Sequence, residues 1–346
     1  MSCGSRHTRP ESDSAFRTRV VELAILLGCA NIGAWIWAFV AFHDNSILLG
    51  TALLAYTLGL RHAVDADHIA AIDNVTRKLV QEGKRPVSVG FFFSLGHATI
   101  VLIGSLIAYS MASVAEKQLE WLRSIGTVVG TSVSAAFLIL IALVNLMILG
   151  GLLRNFSDIR KRQTSENQSQ DILLGRGIVT RILRPIFRML SKPWQMYPVG
   201  FLFGLGFDTT TEIAILGISA AAATKGLSVG AMAVFPLLFA VGMTLVDSAD
   251  GILMVNAYGW AFVKPHRKLY YNFAITIISV VIALVIGTVE AVGLLKDQLK
   301  LTGHLWVYVD NVVNSFGAIG FATIFLFVAI WLGSLGFSRI KRVREV

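Results

Sequence analysis

Residues 61–74 place ionisable side chains directly after an apolar run. The stretch reads Arg-His-Ala-Val-Asp-Ala-Asp-His-Ile-Ala-Ala-Ile-Asp-Asn and follows the apolar residues 47–60. That run extends about 21 Å as a helix, less than a hydrocarbon core of about 30 Å, so a membrane span that begins here must carry the charges into the bilayer. Each central Asp or Arg costs about 2.5 to 3.5 kcal/mol on insertion scales, which makes these residues a functional-site hypothesis.

The spacing of the first motif does not allow one straight helix to direct its histidines and carboxylates at a single ion. His62, Asp65 and His68 are three residues apart and share one ridge of an ideal helix, whereas Asp67 points elsewhere. The two histidines are about 9 Å apart along a straight helix, too far to bind one ion together. We therefore expect a local distortion of the helix, for which Gly59 is the candidate hinge. Alternatively, some of these residues bind the ion directly and the others support those ligands.

Imidazole combined with carboxylate suits a borderline divalent cation such as nickel, cobalt or zinc. Calcium and magnesium sites are built mainly from oxygens, and a soft, thiolate-preferring ion is disfavoured. Neutral imidazole is required, so acidification should expel the ion. The competing interpretation is a buried pair between Arg61 and Asp65, at i and i+4, with the histidines hydrogen-bonded in the core.

A third histidine is predicted to join this site from the following span. His97 lies in Ser-Leu-Gly-His-Ala-Thr, residues 94–99, where Gly96 permits a close helix approach. Alone, His97 would be read as a hydrogen-bonded core histidine. His68, His97 and Asp208 each lie nine to eleven residues from the predicted cytoplasmic end of their span, which puts them about 13 to 17 Å deep. We expect these three spans to bring their polar groups together near the midplane.

Two acidic motifs follow in the second half of the chain. Residues 208–212 read Asp-Thr-Thr-Thr-Glu and residues 247–250 read Asp-Ser-Ala-Asp, with the carboxylates of each motif on one helix face. They can complete the cation site, line its route or exchange protons, or they can simply pair with Arg61 and with each other. The residues assigned to the pathway or to coupling are Arg61, Asp208, Thr209, Glu212, Asp247 and Asp250.

The elements that must position these residues are membrane-spanning helices. Apolar residues make up 55% of the chain and charged ones 15%, and apolar stretches near twenty residues recur throughout, so we expect an all-α polytopic membrane protein. Eight spans are predicted, at residues 20–42, 47–76, 87–113, 125–153, 197–223, 229–260, 270–295 and 314–337. They form a first half (residues 17–153) and a second half (residues 196–338), separated by a basic cytoplasmic loop at residues 154–195.

The basic residues orient these spans. Most arginines and lysines fall in the N-terminal tail (residues 1–16), in residues 77–85, in the 154–195 loop, in residues 264–268 and in the C-terminal tail (residues 339–346). The positive-inside rule then puts both termini in the cytoplasm. Because the net charge of +9 is spread over loops beside apolar spans, it does not indicate a nucleic-acid partner. The N-terminal tail lacks the apolar core of a signal peptide.

Two smaller features complete the organisation. Residues 172–194 repeat arginines at helical spacing among apolar residues, which fits an amphipathic element on the membrane surface or a solvated linker. The chain has two cysteines, Cys3 and Cys29, too few for a disulfide framework.

Short segments of the two halves have similar sequences. Residues 58–65 (Leu-Gly-Leu, then the first motif) are matched by residues 205–212, and Phe-Ser-Leu-Gly-His at 93–97 is matched by Phe-Ala-Val-Gly-Met at 239–243. The two displacements agree within one residue. Three spans separate the copies, so spans two and three would be related to spans five and six as an inverted repeat, an arrangement found in many secondary transporters.

Together, four motifs resemble the signatures of the nickel/cobalt transporter family (NiCoT), and the likeness is greatest to its high-affinity nickel permeases. They are RHAVDADHI at residues 61–69, LGHAT at 95–99, LGFDTTTE at 205–212 and GMTLVDSAD at 242–250. The resemblance implies that His62, Asp67, His68 and His97 are required for metal uptake. With Asp65 they form the predicted metal set. The resemblance also implies an eight-span permease of the bacterial cytoplasmic membrane that imports Ni²⁺, or in some members Co²⁺, as its substrate.

The function predicted is secondary transport of Ni²⁺ or Co²⁺ by alternating access, with no permanently bound cofactor and no ATPase subunit. The chain has no Gly-x4-Gly-Lys-Ser/Thr stretch. Two other classes compete with it. A membrane acyltransferase or di-iron oxygenase would need further motifs or more histidines, so we do not expect an enzyme. A metal-binding module that docks to an energising partner, or a sensor, is the second alternative.

Overall fold

The chain is described by a computed structural model that covers residues 13–111, 116–161, 190–206, 209–261, 265–326 and 329. All regular structure in these ranges is helical. The helices are α1 (Asp13–Phe42), α2 (Ser46–His62), α3 (Ala66–Gln81), α4 (Val89–Met111), α5 (Glu116–Lys161), α6 (Met196–Phe203), α7 (Thr210–Thr224), α8 (Val229–Ala261), α9 (Pro265–Leu299), α10 (His304–Val313) and α11 (Phe316–Leu326), with a 3-10 turn at Pro193–Gln195 before α6.

Five helices, α1, α4, α5, α8 and α9, contain segments long and apolar enough to cross a membrane. Two bent pairs meet the same criterion together: α2 with α3, at an angle of 51°, and α10 with α11, at 56°. The described residues therefore form an all-helical bundle with five to seven candidate spans, as expected of a multi-pass membrane protein. The count of eight stays a prediction.

The apolar surface is that of a protein surrounded by lipid. Along α1 the large side chains Ile25, Ile32, Phe39 and Val40 are exposed over more than half of their area. A soluble monomer does not leave such a continuous apolar face in water. Lipid contact explains why α1 buries only small or widely spaced residues against the rest of the bundle, chiefly α8.

Close packing inside the bundle depends on glycines. A Cβ atom at Gly59 of α2 would collide with the backbone of Phe239 in α8, and one at Gly96 of α4 would collide with Tyr197 of α6. One at Gly200 of α6 would meet Phe93. Small residues let helix backbones approach closely where lipid supplies no hydrophobic driving force. Gly59 is therefore a contact residue, and the prediction that it is the hinge is wrong.

Helices α3 and α7 begin and end alike. Each follows an extended residue, Asp65 (φ −65°, ψ 145°) and Thr209 (φ −83°, ψ 146°). Each is followed by a glycine with positive φ, Gly83 (79°) and Gly226 (69°). In both, the amide after that glycine bonds back to a carbonyl of the last turn, at 3.0 Å, as in a Schellman motif. The two half-length helices thus share their boundaries as well as their motifs.

Polar contacts define the two ends of the bundle. At one end, here called proximal, Arg19 of α1 donates to the carbonyl of Arg85 at 2.9 Å, and Lys78 donates to the carbonyl of Leu190 at 2.5 Å. At the opposite, distal end the Tyr109 hydroxyl of α4 donates to the carbonyl of Leu227 at 2.6 Å. The start of α1, the end of α3 and residues 190–195 are thus proximal, whereas the α7–α8 turn is distal.

Several predicted regions lie outside the described residues. These are most of the N-terminal tail, residues 162–189 of the 154–195 loop with the larger part of its amphipathic segment, the C-terminal tail, and Asp208. The proposed domain boundaries stay predictions. Within the described part, α5 continues to Lys161, beyond the predicted end of span four.

Candidate metal centre

The span that carries the first motif is broken between its two histidines. His62 is the last residue of α2, Asp65 is extended, and His68 lies in the first turn of α3. The amides of Val64 and Asp65 bond to carbonyls three residues earlier, which closes α2 with a tight turn. The expected distortion therefore exists, beginning four residues after Gly59, at Ala63–Asp65. It brings the His62 and His68 ring centroids to 4.6 Å, whereas a straight helix would separate the residues by about 9 Å.

Three imidazoles converge at this break. His62, His68 and His97 each offer a ring nitrogen, and these nitrogens lie within 4.8 Å of one another. The three residues are between 0% and 3% exposed. The His97 ring centroid, contributed by α4, lies 4.8 Å from each of the other two. The structure thus brings together the three histidines that the sequence placed in two successive spans.

The nitrogen spacing is compatible with one metal ion. Two imidazole nitrogens bound at about 2.1 Å and at a right angle are about 3.0 Å apart. The Nε2 atoms of His62 and His97 are separated by 2.9 Å. A further nitrogen, Nε2 of His68, is buried without a hydrogen-bond partner among the described residues. Polar groups buried in this way are usually satisfied, so the missing partner of this nitrogen points to a ligand.

Carboxylates and hydroxyls surround the imidazoles. His68 Nδ1 lies 3.2 Å from Asp247 Oδ2, and that oxygen also accepts a hydrogen bond from Ser94. A carboxylate on one ring nitrogen fixes the orientation of the imidazole and directs the other nitrogen at the metal. Asp247 of α8 therefore acts on the site through His68, and Ser94, one turn before His97 on α4, orients the carboxylate.

The start of α7 contacts the other two histidines. His62 Nδ1 lies 3.0 Å from Thr211 Oγ1, and His97 Nε2 lies 2.9 Å from Glu212 Oε1. Thr209 is the N-cap of α7, and its side chain and that of Glu212 form a capping box. Capping thus fixes Glu212 in the first turn, where it reaches His97, and its oxygen is also 3.9 Å from His62 Nε2.

The two carboxylates of the first motif face a cavity. Asp65 and Asp67 line a space of about 870 Å³ together with Arg61, Thr211 and Glu290. Asp65 is buried and lies 3.4 Å from His62 Nδ1, whereas Asp67 is partly exposed. At the mouth of the cavity are the exposed Asp297 and the partly exposed Asp310. Five carboxylates thus line the cavity. The cavity extends from the distal end of the bundle towards the histidines.

The pathway residues fall into distinct positions. Arg61 is exposed to the cavity, and within the described chain no ion pair joins it to Asp65, so the competing interpretation of a buried Arg61–Asp65 pair is not realised. Thr209 and Glu212 flank the histidines, and Asp247 supports His68. Asp250 lies one turn further along α8, outside the imidazole cluster. Since α7 begins at Thr210, the expected helix face shared by Asp208 and Glu212 does not extend across the whole motif.

Two contacts were missed by sequence reasoning. Thr211 bonds to His62, and Glu212, which was assigned to the pathway or to coupling without a histidine partner, touches His97. The signal was the likeness between residues 205–212 and the first motif: the first motif interrupts a helix beside the histidines, and a new helix begins within the matching residues, at Thr210. The local pattern of Thr209 followed by Glu212 three residues later is a capping box and marks the helix start.

Comparison with known proteins identifies the family. A family model described as high-affinity nickel-transport protein, NicO, matches residues 48–336. A high-affinity nickel transport protein of Cupriavidus necator is 47% identical over 335 residues, covering 96% of this chain and 95% of the relative. The hydrogenase nickel incorporation protein HupN of Bradyrhizobium diazoefficiens is 51% identical over 317 residues, 90% of this chain and 83% of the relative.

A cobalt transport protein, NhlF of Rhodococcus rhodochrous, is 39% identical over 301 residues, 86% of this chain and 85% of the relative. No solved structure matches the chain. The relatives are named for the transport or incorporation of a metal, which agrees with the expectation that this is not an enzyme. The family match over most of the sequence, and these identities over nearly whole chains, show that the protein belongs to the NicO family of high-affinity nickel-transport proteins.

Proposed function

We propose that this chain is a secondary permease that imports Ni²⁺, or Co²⁺, across the bacterial cytoplasmic membrane, and that His62, His68 and His97 bind the ion during transport. The observation that carries the proposal is the cluster of three buried imidazoles beside an acidic cavity. Imidazole nitrogens select nickel, cobalt or zinc over calcium and magnesium. Asp65 and Asp67 lie on the cavity side, where they attract the cation and can supply oxygen ligands as it arrives.

The proposed orientation puts the proximal end in the cytoplasm. Arg19, Lys84, Arg85 and Lys192 all belong to this end, and the positive-inside rule assigns such a concentration to the cytoplasm. The cavity, which opens at the distal end, then faces the outside. Both termini are cytoplasmic with the eight spans that the sequence predicts.

Alternating access has a structural basis in the two interrupted spans. Helix α3 points from its break to the proximal end and α7 from its own break to the distal end, with matching caps at both boundaries. Broken helices that face each other near the midplane, in two halves of opposite direction, are the usual construction of inverted-repeat carriers. We propose that rocking of one half against the other exposes the histidines to each side in turn. Transport then needs neither a resident cofactor nor an ATPase subunit.

Uptake of radioactive Ni²⁺ into proteoliposomes that contain only this chain tests the proposal. Wild type is compared with His68→Ala and with His43→Ala, a histidine on the exposed α1–α2 turn. We expect saturable uptake that His68→Ala lowers at least about a hundredfold, since a buried metal site loses one of its nitrogens. His43→Ala should transport like wild type. An imposed pH gradient shows whether protons are coupled to the metal.

Two results would contradict the proposal in different ways. Retained Ni²⁺ binding without uptake by the wild-type chain would favour the alternative of a module or sensor that depends on a partner. Uptake unaffected by His68→Ala would place the metal elsewhere in the protein. Unchanged Ni²⁺ affinity on acidification from pH 8 to 5 would also remove the histidines from the ligand set, because protonated imidazole cannot bind metal.

A further inference from the structure

A second group of buried ionisable side chains lies on the proximal side of the histidines. Asp73 of α3 and Asp247 and Asp250 of α8 are 1%, 0% and 7% exposed. The Asp250 carboxylate interacts electrostatically with both of the others. Charged groups at this depth are costly, and in membrane proteins they mark ion pathways.

The packing of α3, α4 and α8 explains why these carboxylates lie together. A Cβ atom placed on Gly251 would lie 3.3 Å from the amide nitrogen of Gly90 and 3.7 Å from Ile72. A Cβ atom on Gly90 would collide with the backbone of Asp247. Ile72 and Gly251, the sequence neighbours of Asp73 and Asp250, therefore lie close together, and α4 packs at the same point. Glycine contacts thus fix the approach of the two carboxylate-bearing helices.

Asp250 is aimed into this group without being satisfied by it. Both of its carboxylate oxygens, and Oδ1 of Asp247, are buried without a hydrogen-bond partner among the described residues. Burying a carboxylate unpaired costs several kcal/mol in proteins, more than packing alone explains. The other Asp247 oxygen, Oδ2, contacts His68, so Asp247 connects the two groups directly.

The three carboxylates lie between the histidines and the proximal end of the bundle. Asp73 lies five residues beyond His68, about 7.5 Å further along α3 towards its proximal end. Asp250 lies one turn beyond Asp247 in the same direction along α8. An ion that leaves the imidazoles for the proximal end therefore meets these oxygens next.

We propose that Asp73, Asp247 and Asp250 form a second, oxygen-only station that receives the divalent cation from the histidines and releases it towards the proximal end. The inference rests on the proposed transport function and adds a site to it. Nickel prefers imidazole nitrogen, whereas carboxylates bind divalent ions with less discrimination. A weaker site beyond a selective one favours release, because conduction requires that binding be loose enough to let the ion leave.

Manganese is the probe that separates the two sites, because Mn²⁺ suits oxygen ligands. Binding of Mn²⁺ to the purified full chain in detergent is followed from the decrease in the EPR signal of free Mn²⁺. The variants are Asp250→Asn, His97→Ala, Glu290→Gln in the distal cavity and Asp44→Asn, an exposed control in the α1–α2 turn. Ni²⁺ binding and proteoliposome uptake are measured on the same preparations.

We expect Asp250→Asn to weaken Mn²⁺ binding and Ni²⁺ uptake by at least about tenfold, while Ni²⁺ affinity stays within about twofold of wild type. His97→Ala should show the reverse, with Mn²⁺ retained and Ni²⁺ lost. Asp44→Asn should change neither. Loss of Mn²⁺ in Glu290→Gln but not in Asp250→Asn would overturn the proposal, since the oxygen site would then be the distal cavity. Unchanged uptake by Asp250→Asn would also overturn it.

Two controls keep the result interpretable. If Asp250→Asn also loses Ni²⁺ binding, its fold is damaged, and Asp73→Asn then decides by the same criteria. If wild type binds Mn²⁺ through Asp250 but carries no Ni²⁺ into liposomes, the proposed transport function fails while the carboxylate site stands as a binding site. The proposed function and the second station can therefore fail separately.

Discussion

On the distal side of the three histidines the chain leaves a cavity of about 870 Å³, whereas on the proximal side α4 and α8 pack backbone against backbone, with the Ile72 side chain of α3 beside them. The cavity wall carries hydroxyls and carboxylates and reaches the partly exposed Asp310. The proximal side holds the buried Arg77, which donates to Asn74 at 2.6 Å, and Asn145, which donates to the same oxygen at 2.7 Å. The histidines are therefore approached from one end only.

If the protein transports a cation as proposed, this difference indicates where the helices must move. A cation that enters from the distal end reaches His62 through the cavity, past Thr211 and Asp65. A cation that leaves at the proximal end has to part helices whose backbones touch. In a carrier the two barriers must not open together, and here the glycine contacts keep the proximal one closed. The following predictions test that asymmetry, from the largest expected effect to the smallest.

Thiol labelling should show the asymmetry directly. Single cysteines are introduced in the background Cys3→Ser and Cys29→Ser, as Thr127→Cys on the cavity wall and Thr76→Cys on the proximal side, where Thr76 is 0% exposed. We expect the first to react about 1,000-fold faster with a charged maleimide in detergent, because the second reacts only after the helices open. Comparable rates without metal would show that the proximal side is not sealed.

Substitution of a glycine in the proximal seal should damage stability. The added side chain of Gly90→Val cannot fit against the backbone of Asp247, so α4 and α8 must move apart at a cost of about 3 kcal/mol. Gly28→Val on α1, with nothing within 4 Å, is the matched control and should cost less than about 0.5 kcal/mol. Thermal unfolding in detergent measures both. Equal stability of the two variants would mean that the glycine contact does not hold the proximal side closed.

The sequence predicted which residues meet but not how the chain brings them together. Counting from the predicted span ends was enough to place His68 and His97 at one depth, and the two histidines of the first motif required a distortion. The position of that distortion depends on tertiary packing: a Cβ atom on Gly320 of α11 would collide with the carbonyl of Val64, inside the break. Nothing in the sequence of residues 61–69 indicates a contact with a helix some 250 residues later.

The cluster around the histidines was only partly predictable for a similar reason. Carboxylates on α7 and α8 were expected to line the route, but their assignment to particular imidazoles depends on helix rotation. Glu212 reaches His97 because the capping box starts α7 at Thr210. Asp247, which contacts His68, also reaches Ser94 because Gly90 lets α4 and α8 approach closely. Helix ends and glycine contacts, rather than spacing, determine these pairs.

Glu212→Gln tests the distal support of the site. The amide keeps the shape of the side chain but loses the charge beside His97 Nε2, which lies 2.9 Å from the carboxylate. Loss of such a supporting group lowers metal affinity by about 10-fold. Isothermal titration of the purified chain with Ni²⁺ measures the change, and Glu22→Gln on the exposed face of α1 is the matched control. An affinity equal to wild type would restrict the function of Glu212 to capping α7.

Lys296→Met should have the smallest effect, at the mouth of the distal cavity. Lys296 bridges Asp310, with nitrogen–oxygen distances of 2.5 and 2.7 Å, and lies 3.5 Å from Asp297. Its loss leaves both carboxylates uncompensated, so the mouth attracts cations more strongly and the Ni²⁺ concentration at half-maximal uptake should fall by about twofold at low salt. The difference from wild type should vanish at high ionic strength, because this mouth is exposed. An effect that persisted in high salt would mean that Lys296 acts by holding α9 against α10, and the distal side would then also contain a mechanical closure.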